Sequence, residues 1–173
     1  MVRHKRRHIK GGSDNFLSIL DGIEGGFAIF TGIIAGLSFQ SVDRRLLVAS
    51  GLIGIIVNAF NCSVLRYTTQ HYYDELDGVE KRNKFKHYTL PALVEFGVYT
   101  IVSIILLLPL VLADSLAHGV MACAVITLAV LFAAGYYRGW VMRTHPLRDA
   151  LELSLSGAAI VGVGALAGFL LAL

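Results

Sequence analysis

The chain consists of five long apolar stretches separated by short polar segments. Each stretch is about as long as the roughly 20 residues that a helix needs to cross a bilayer. A helix pairs its own backbone amides, as a bilayer requires, and runs such as Ile101–Leu112 lack the alternation of a barrel strand. The pattern therefore predicts an all-α, polytopic membrane protein with five transmembrane helices, at about residues 17–37, 46–66, 91–113, 117–137 and 151–173.

The remaining residues are a basic tail, residues 1–16, a polar connection, residues 67–90, and two short turns. They leave no room for a separate soluble domain. Asp21 and Glu24 interrupt the first apolar stretch, and no small-residue cleavage site follows it. We therefore interpret it as a membrane helix rather than a signal peptide. The lack of any other targeting segment favours a prokaryotic inner membrane, with an organelle membrane as the alternative.

The basic residues predict how the chain is oriented. With five spans, the tail, the 67–90 connection and the last connection lie on the same side of the membrane. That side carries thirteen of the fifteen Lys and Arg residues, and only Arg44 and Arg45 lie opposite. The positive-inside rule then places the N-terminus in the cytosol. The thirteen residues are Arg3, Lys5, Arg6, Arg7, Lys10, Arg66, Lys81, Arg82, Lys84, Lys86, Arg138, Arg143 and Arg148.

The composition excludes several classes of protein. With 55% hydrophobic and only 16% charged residues, the chain does not resemble a soluble enzyme or a disordered protein. It contains no HExxH, phosphate-loop or nucleophile motif, so we predict a transporter-like protein rather than an enzyme. Although the net charge is +3, no aromatic residues interleave with the basic ones, and nucleic acid is not the expected partner. Contact with membrane lipid is expected.

Three acidic residues fall within the predicted spans: Asp21 and Glu24 in the first and Glu95 in the third. A carboxylate at membrane depth is costly unless it is paired, protonated or hydrated, and it often marks an ion or proton path. Asp21 and Glu24 are three residues apart and share a helical face. The alternatives are an interfacial position for Asp21, near the start of its helix, and protonated carboxyls hydrogen-bonded between helices for Glu24 and Glu95.

Asn58 and Asn61 add two amides to one face of the second span. Interhelical hydrogen bonds are the ordinary role of such residues, and metal binding is the alternative. Together with the three acids they suggest an oxygen-rich lane through the bundle. Divalent cations prefer carboxylate and amide oxygens, and a carboxylate can exchange a metal for a proton. We therefore predict cation transport, with Asp21, Glu24, Glu95, Asn58 and Asn61 as metal ligands and the three acids coupling it to protons.

Glycines recur at four-residue spacing in the first and last spans. This spacing lets two helix backbones approach closely, either between two chains of a homodimer or within one chain. The pattern does not separate these alternatives. The residues are Gly22, Gly26, Gly32, Gly36, Gly164 and Gly168.

Several segments together resemble the vacuolar iron transporter family. The Asp-Gly pair and the Phe-Ala pair of residues 20–32 are similar to the family's first helix, and residues 71–75 to the polar extension of its second. Residues 106–109 resemble the Leu-Leu-Pro end of its third helix, and Ser156–Ala159 with the glycines that follow resembles its last.

The resemblance implies a homodimer that moves Fe²⁺ or Mn²⁺ out of the cytosol against protons, with Asp21 on the ion path. The family's second-helix Glu and Met correspond here to Ala49 and Val57, and the connection after that helix is short. We therefore expect Glu24 and Glu95 on neighbouring helices to supply the carboxylates, and Asn58 and Asn61 to supply neutral oxygens. Without the Met sulfur this set favours manganese or another cation that prefers oxygen ligands. No permanently bound cofactor is expected. The alternative is a non-transporting membrane scaffold or assembly subunit that keeps the fold without the metal ligands.

Overall fold

A computed structural model describes residues 13–40, 42–78 and 83–173. The basic residues of the tail, together with Lys81 and Arg82, lie outside these ranges. The described part confirms the all-α prediction: it contains five helices long and apolar enough to cross a membrane, and no strand. The helices are α1 (Ser13–Leu37), α2 (Arg44–Leu76), α3 (Leu90–Leu112), α4 (Leu116–Met142) and α5 (Pro146–Leu171).

Helix α2 continues for ten residues beyond the boundary that hydropathy suggested, from residue 66 to Leu76. No glycine or proline interrupts the chain between Ile55 and Asp77, so nothing ends the helix where its apolar character ends. Gly78 follows with a φ of 64°, the left-handed conformation that often terminates a helix. A short π-helix, Phe85–Thr89, then leads directly into α3. The predicted polar connection is therefore helical over much of its described length.

The helices run alternately up and down, so the starts of α1, α3 and α5 and the ends of α2 and α4 meet at one end of the bundle. We call this the N-terminal end. There an Arg66 guanidinium nitrogen donates to the backbone oxygen of Asp14 at 3.1 Å. At the opposite end Arg44 donates to the backbone oxygen of Val111 at 3.2 Å, and Gln40 to that of Gly168 at 3.0 Å.

The described basic residues are unequally divided between the two ends. Only Arg44 and Arg45 lie at the end opposite the N-terminal end. The other described basic residues, Arg66, Lys84, Lys86, Arg138, Arg143 and Arg148, belong to the N-terminal end.

Helix α1 is the centre of the bundle. It packs against each of the other four helices. Its most apolar stretch is 56% buried, whereas the corresponding stretches of the others are 17–33% buried. An acidic residue on α1 can therefore face other helices rather than lipid.

The glycines of α1 and α5 allow this central position because they bring backbones of the same chain together. A Cβ added to Gly22 would lie 3.0 Å from the backbone oxygen of Glu95 on α3. A Cβ on Gly32 would lie 3.1 Å from the backbone oxygen of Ile160 on α5, and one on Gly36 would lie 2.6 Å from that of Gly164. The remaining three make similar approaches: Gly26 to α3, and Gly164 and Gly168 to α1.

Buried polar groups fix the contacts deeper in the bundle. The hydroxyl groups of Thr31 on α1 and Thr127 on α4 are 2.6 Å apart, and neither residue is accessible. Ser103 on α3 donates to the backbone oxygen of Gly26 at 2.9 Å. Hydrogen bonds of this kind hold neighbouring helices in one rotational setting.

Candidate functional site

Two of the predicted acidic residues meet an arginine near the N-terminal end of the bundle. An Nη of Arg66 on α2 donates to the Asp21 carboxylate of α1 at 2.6 Å. The Nε of the same arginine lies 4.0 Å from a carboxylate oxygen of Glu95 on α3. We call Asp21, Arg66 and Glu95 the Arg66 cluster. It places the cation of α2 between one acid from α1 and one from α3.

Local helix geometry explains why these side chains converge. Glu95 belongs to the buried face of α3, in register with Ala92, Tyr99 and Ser103 at intervals of three or four residues. Its side chain is only 8% exposed. Arg66 can approach Asp21 and Glu95 because α2 continues as a helix past residue 66. Asp21 lies eight residues into α1, about 12 Å from the start of the helix at 1.5 Å per residue.

The cluster borders a cavity of about 290 Å³, lined by Asp21, Cys62, Leu65, Arg66, Thr69 and Glu95. A second cavity of about 280 Å³ lies toward the end of α2, lined by Asp14, Leu17, Arg66, Thr69, Gln70, Tyr73 and Asp74. Arg66 and Thr69 line both cavities. Arg66 and Thr69 therefore lie between an outer cavity and an inner one that is lined by Asp21 and Glu95.

The cluster is incompletely hydrogen-bonded. Among the described residues, Glu95 Oε2, Arg66 Nε and the Tyr99 hydroxyl are buried and form no hydrogen bond. At 4.0 Å the Arg66–Glu95 pair is an ion pair without a hydrogen bond. Glu95 therefore keeps acceptor capacity that faces the inner cavity.

The other predicted ligands lie elsewhere. Glu24 is partly buried on α1, where Asp21, Arg138 and Glu152 act on its charge, and it does not line the inner cavity. The amide of Asn58 donates to the backbone oxygen of Gly54 in its own helix at 3.0 Å, and Asn61 is exposed. The structure thus brings together Asp21 and Glu95 from the five predicted ligands.

Sequence reasoning missed two residues at this site. Arg66 follows the last apolar residues of α2 and belongs to the basic residues that predict orientation, and Cys62 lies in an apolar run with no motif around it. Cys62 lies one helical turn before Arg66 and lines the inner cavity. Acids in membrane helices are often paired with a basic residue, so Asp21 and Glu95 were themselves a signal to look for a nearby arginine.

A polar and aromatic group borders the outer cavity where α2 meets the π-helix. The Tyr88 hydroxyl donates to the Asp74 carboxylate at 2.9 Å, and the Tyr88 ring is inaccessible. The His71 ring stacks on that of Tyr67 and meets the Tyr88 ring edge-on. This packing fixes the long end of α2 against the segment that leads to Glu95.

The fold and the cluster define a five-helix membrane protein with an acid pair inside its bundle. The chain matches the VIT family over residues 64–169, and it belongs to that family. The match includes Arg66 and Glu95 and begins after α1. This membership confirms the family suggested by the sequence motifs and indicates metal-ion transport across a membrane. No curated protein matches the chain.

Proposed function

We propose that this protein exports a divalent metal cation, Fe²⁺ or Mn²⁺, from the cytosol in exchange for protons. One observation carries the proposal: Asp21 and Glu95 line a single cavity between membrane-spanning helices of a VIT family chain. Ionisable residues inside membrane helices usually mark ion or proton paths. Carboxylate oxygens suit both cations.

The cation approaches from the N-terminal end, which the positive-inside rule assigns to the cytosol. The outer cavity, with Asp14 and Asp74, attracts it, and Asp21 and Glu95 bind it in the inner cavity. Protons from the opposite side then neutralise the two carboxylates and release it. Because coordination requires ionised carboxylates, metal affinity falls as the pH is lowered.

A homodimer is part of the proposal, on the strength of the family resemblance. The close glycine contacts of α1 and α5 are made within one chain. The contact between two copies is therefore expected on another membrane-facing surface.

The experiment is metal uptake into proteoliposomes loaded with a metal-sensitive dye. We expect Fe²⁺ or Mn²⁺ to enter faster when the interior is acidic, because protons leave in exchange, and a protonophore to remove the difference. Asp21→Asn and Glu95→Gln should abolish uptake. Asp114→Asn is the matched control, because Asp114 is an exposed acid in the turn between α3 and α4. Uptake by Asp21→Asn at the wild-type rate would contradict the assigned site.

A second candidate is a membrane scaffold that keeps the family fold without transport. It is favoured by one observation: the described ranges contain no group of three His, Cys, Asp or Glu side chains placed to hold a metal ion. The same assay separates the two functions. If the wild-type protein moves no divalent cation with or without the pH gradient, the scaffold function is supported.

A further inference from the structure

We propose that Arg66 is a tethered cation that occupies the acid pair in the resting protein and that the metal must displace. The inference rests on the proposed function and assigns to that site a residue that competes with the substrate. Arg66 would then set the apparent metal affinity and control passage from the outer to the inner cavity.

Arg66 is held at the site by two hydrogen bonds, and a third donor of its guanidinium is unused. One Nη donates to Asp21 at 2.6 Å, the other donates to the backbone oxygen of Asp14, and Nε lies 4.0 Å from Glu95. Nε forms no hydrogen bond in the described part of the chain. The guanidinium group thus pairs with both carboxylates while its Nε donor is left without a hydrogen bond.

Charge balance opposes simultaneous occupancy. Ionised Asp21 and Glu95 carry two negative charges, which Arg66 reduces to a net charge of minus one. A divalent cation added beside Arg66 would leave an excess positive charge at the site, and like charges repel each other. If Arg66 leaves, the two carboxylates balance the cation. The oxygen of Asp21 that accepts from Arg66 is also one of those that would bind the metal.

The outer cavity offers the displaced guanidinium a place to go. Arg66 lines both cavities, so its side chain needs only to rotate from one to the other. Gln70, one turn further along α2, lines the outer cavity, and its Oε1 is buried without a hydrogen bond among the described residues. Asp74 supplies a carboxylate on the same wall. These groups can accept hydrogen bonds from the guanidinium once the metal is bound to Asp21.

The alternative is that Arg66 is a purely structural ion pair. Removing it would then loosen the contacts among α1, α2 and α3 and would not strengthen metal binding. Displacement instead predicts that removing Arg66 raises the apparent affinity for the metal, because a competitor is removed. If the metal-competent arrangement is populated about 1–10% of the time, eliminating the competitor tightens binding about 10- to 100-fold.

The test is Mn²⁺ binding to purified protein in lipid nanodiscs, measured from the paramagnetic resonance signal of free Mn²⁺. We expect Arg66→Gln to bind at least about tenfold more tightly than wild type and Arg66→Lys, which keeps the charge, to stay close to wild type. Arg148→Gln is the matched control: it removes an exposed arginine at the same end of the bundle, outside both cavities. It should change affinity less than about twofold.

A second measurement uses the wild-type protein and does not depend on a variant that folds. Phenylglyoxal modifies accessible guanidinium groups, and mass spectrometry reports modification of Arg66 and Arg138 separately. Saturating Mn²⁺ should raise modification of Arg66 several-fold by moving it from Asp21 into the outer cavity, while Arg138 serves as the internal reference. Unchanged or reduced modification of Arg66 would overturn displacement.

The outcomes separate this inference from the proposed function. If wild type transports Mn²⁺ but Arg66→Gln binds no more tightly, displacement is overturned and transport stands. If Arg66→Gln binds tightly while wild type transports nothing, displacement is supported and transport by the native chain is overturned. If no variant binds or moves a divalent cation, both are overturned.

Discussion

Replacing Gly164 by Ala tests the packing of α1 against α5. A Cβ at this position would contact the carbonyl oxygen of Gly32 most closely, and it would lie 2.6 Å from the carbonyl carbon of Gly32 and 2.9 Å from its Cα. All three atoms belong to the backbone, so no side chain can rotate away. To extend the 2.6 Å contact to the 3.4 Å of an ordinary one, α5 must move by at least about 0.8 Å.

The free-energy cost follows from the contacts that this movement weakens. A gap of 0.5–1 Å forfeits about a quarter to a half of an atom pair's attraction, itself about 0.1–0.2 kcal/mol. Taking about 40 atom pairs across the seam, the loss is about 2 kcal/mol. Gly162→Ala is the matched control on the same helix, because nothing lies within 4 Å of its added Cβ. Both variants gain about 1 kcal/mol of helix propensity, which cancels in their difference.

The assay is thermal unfolding of the two variants in the same detergent. For a chain of 173 residues, 2 kcal/mol corresponds to a difference of about 4–8 °C, with Gly164→Ala the less stable variant. Because this seam lies within one chain, the difference should not depend on protein concentration, unlike that of a seam between two chains. A midpoint for Gly164→Ala equal to or above that of Gly162→Ala would show that α1 and α5 are not tightly packed at Gly164.

Two further predictions concern stability. Thr127→Val should lower the free energy of unfolding by about 1–2 kcal/mol because it leaves the buried Thr31 hydroxyl without this partner. Adding Thr31→Val should cost little more. A double-mutant cycle by chemical unfolding measures the coupling between the two residues, and simple additivity of the two effects would contradict it. Arg143 ends α4 with a φ of 56°, so Arg143→Gly should raise the free energy of unfolding by about 1 kcal/mol. Arg143→Ala removes the same charge but keeps the strained conformation, and equal stability of the two variants would count against this explanation.

The five helices could be predicted because their determinants are local. A stretch of about 20 apolar residues must cross a bilayer as a helix whichever partners it packs against. The extension of α2 to Leu76 was not visible in hydropathy, which reports where apolar character ends rather than where hydrogen bonding ends. The absence of glycine and proline between Ile55 and Asp77 was the available signal.

The acidic site could be predicted only in part. Glu95 was identified because an acid in an apolar span is rare, and it does lie on the buried face of α3. The three-residue spacing of Asn58 and Asn61 predicts that they share a helical face, but it does not predict which neighbours that face contacts. Their metal-binding role stays a prediction, as does that of Glu24.

Three properties could be read from the amino-acid pattern alone: that the chain is a membrane protein with five helices, where its acids lie along those helices, and that its glycines permit close packing. These properties depend on composition and periodicity within single helices. The packed structure was needed to show that α1 is central, that its glycines meet α3 and α5 of the same chain, and that Arg66 lies between Asp21 and Glu95. Such pairings depend on the rotation of each helix about its axis, which is set by packing among all five helices together.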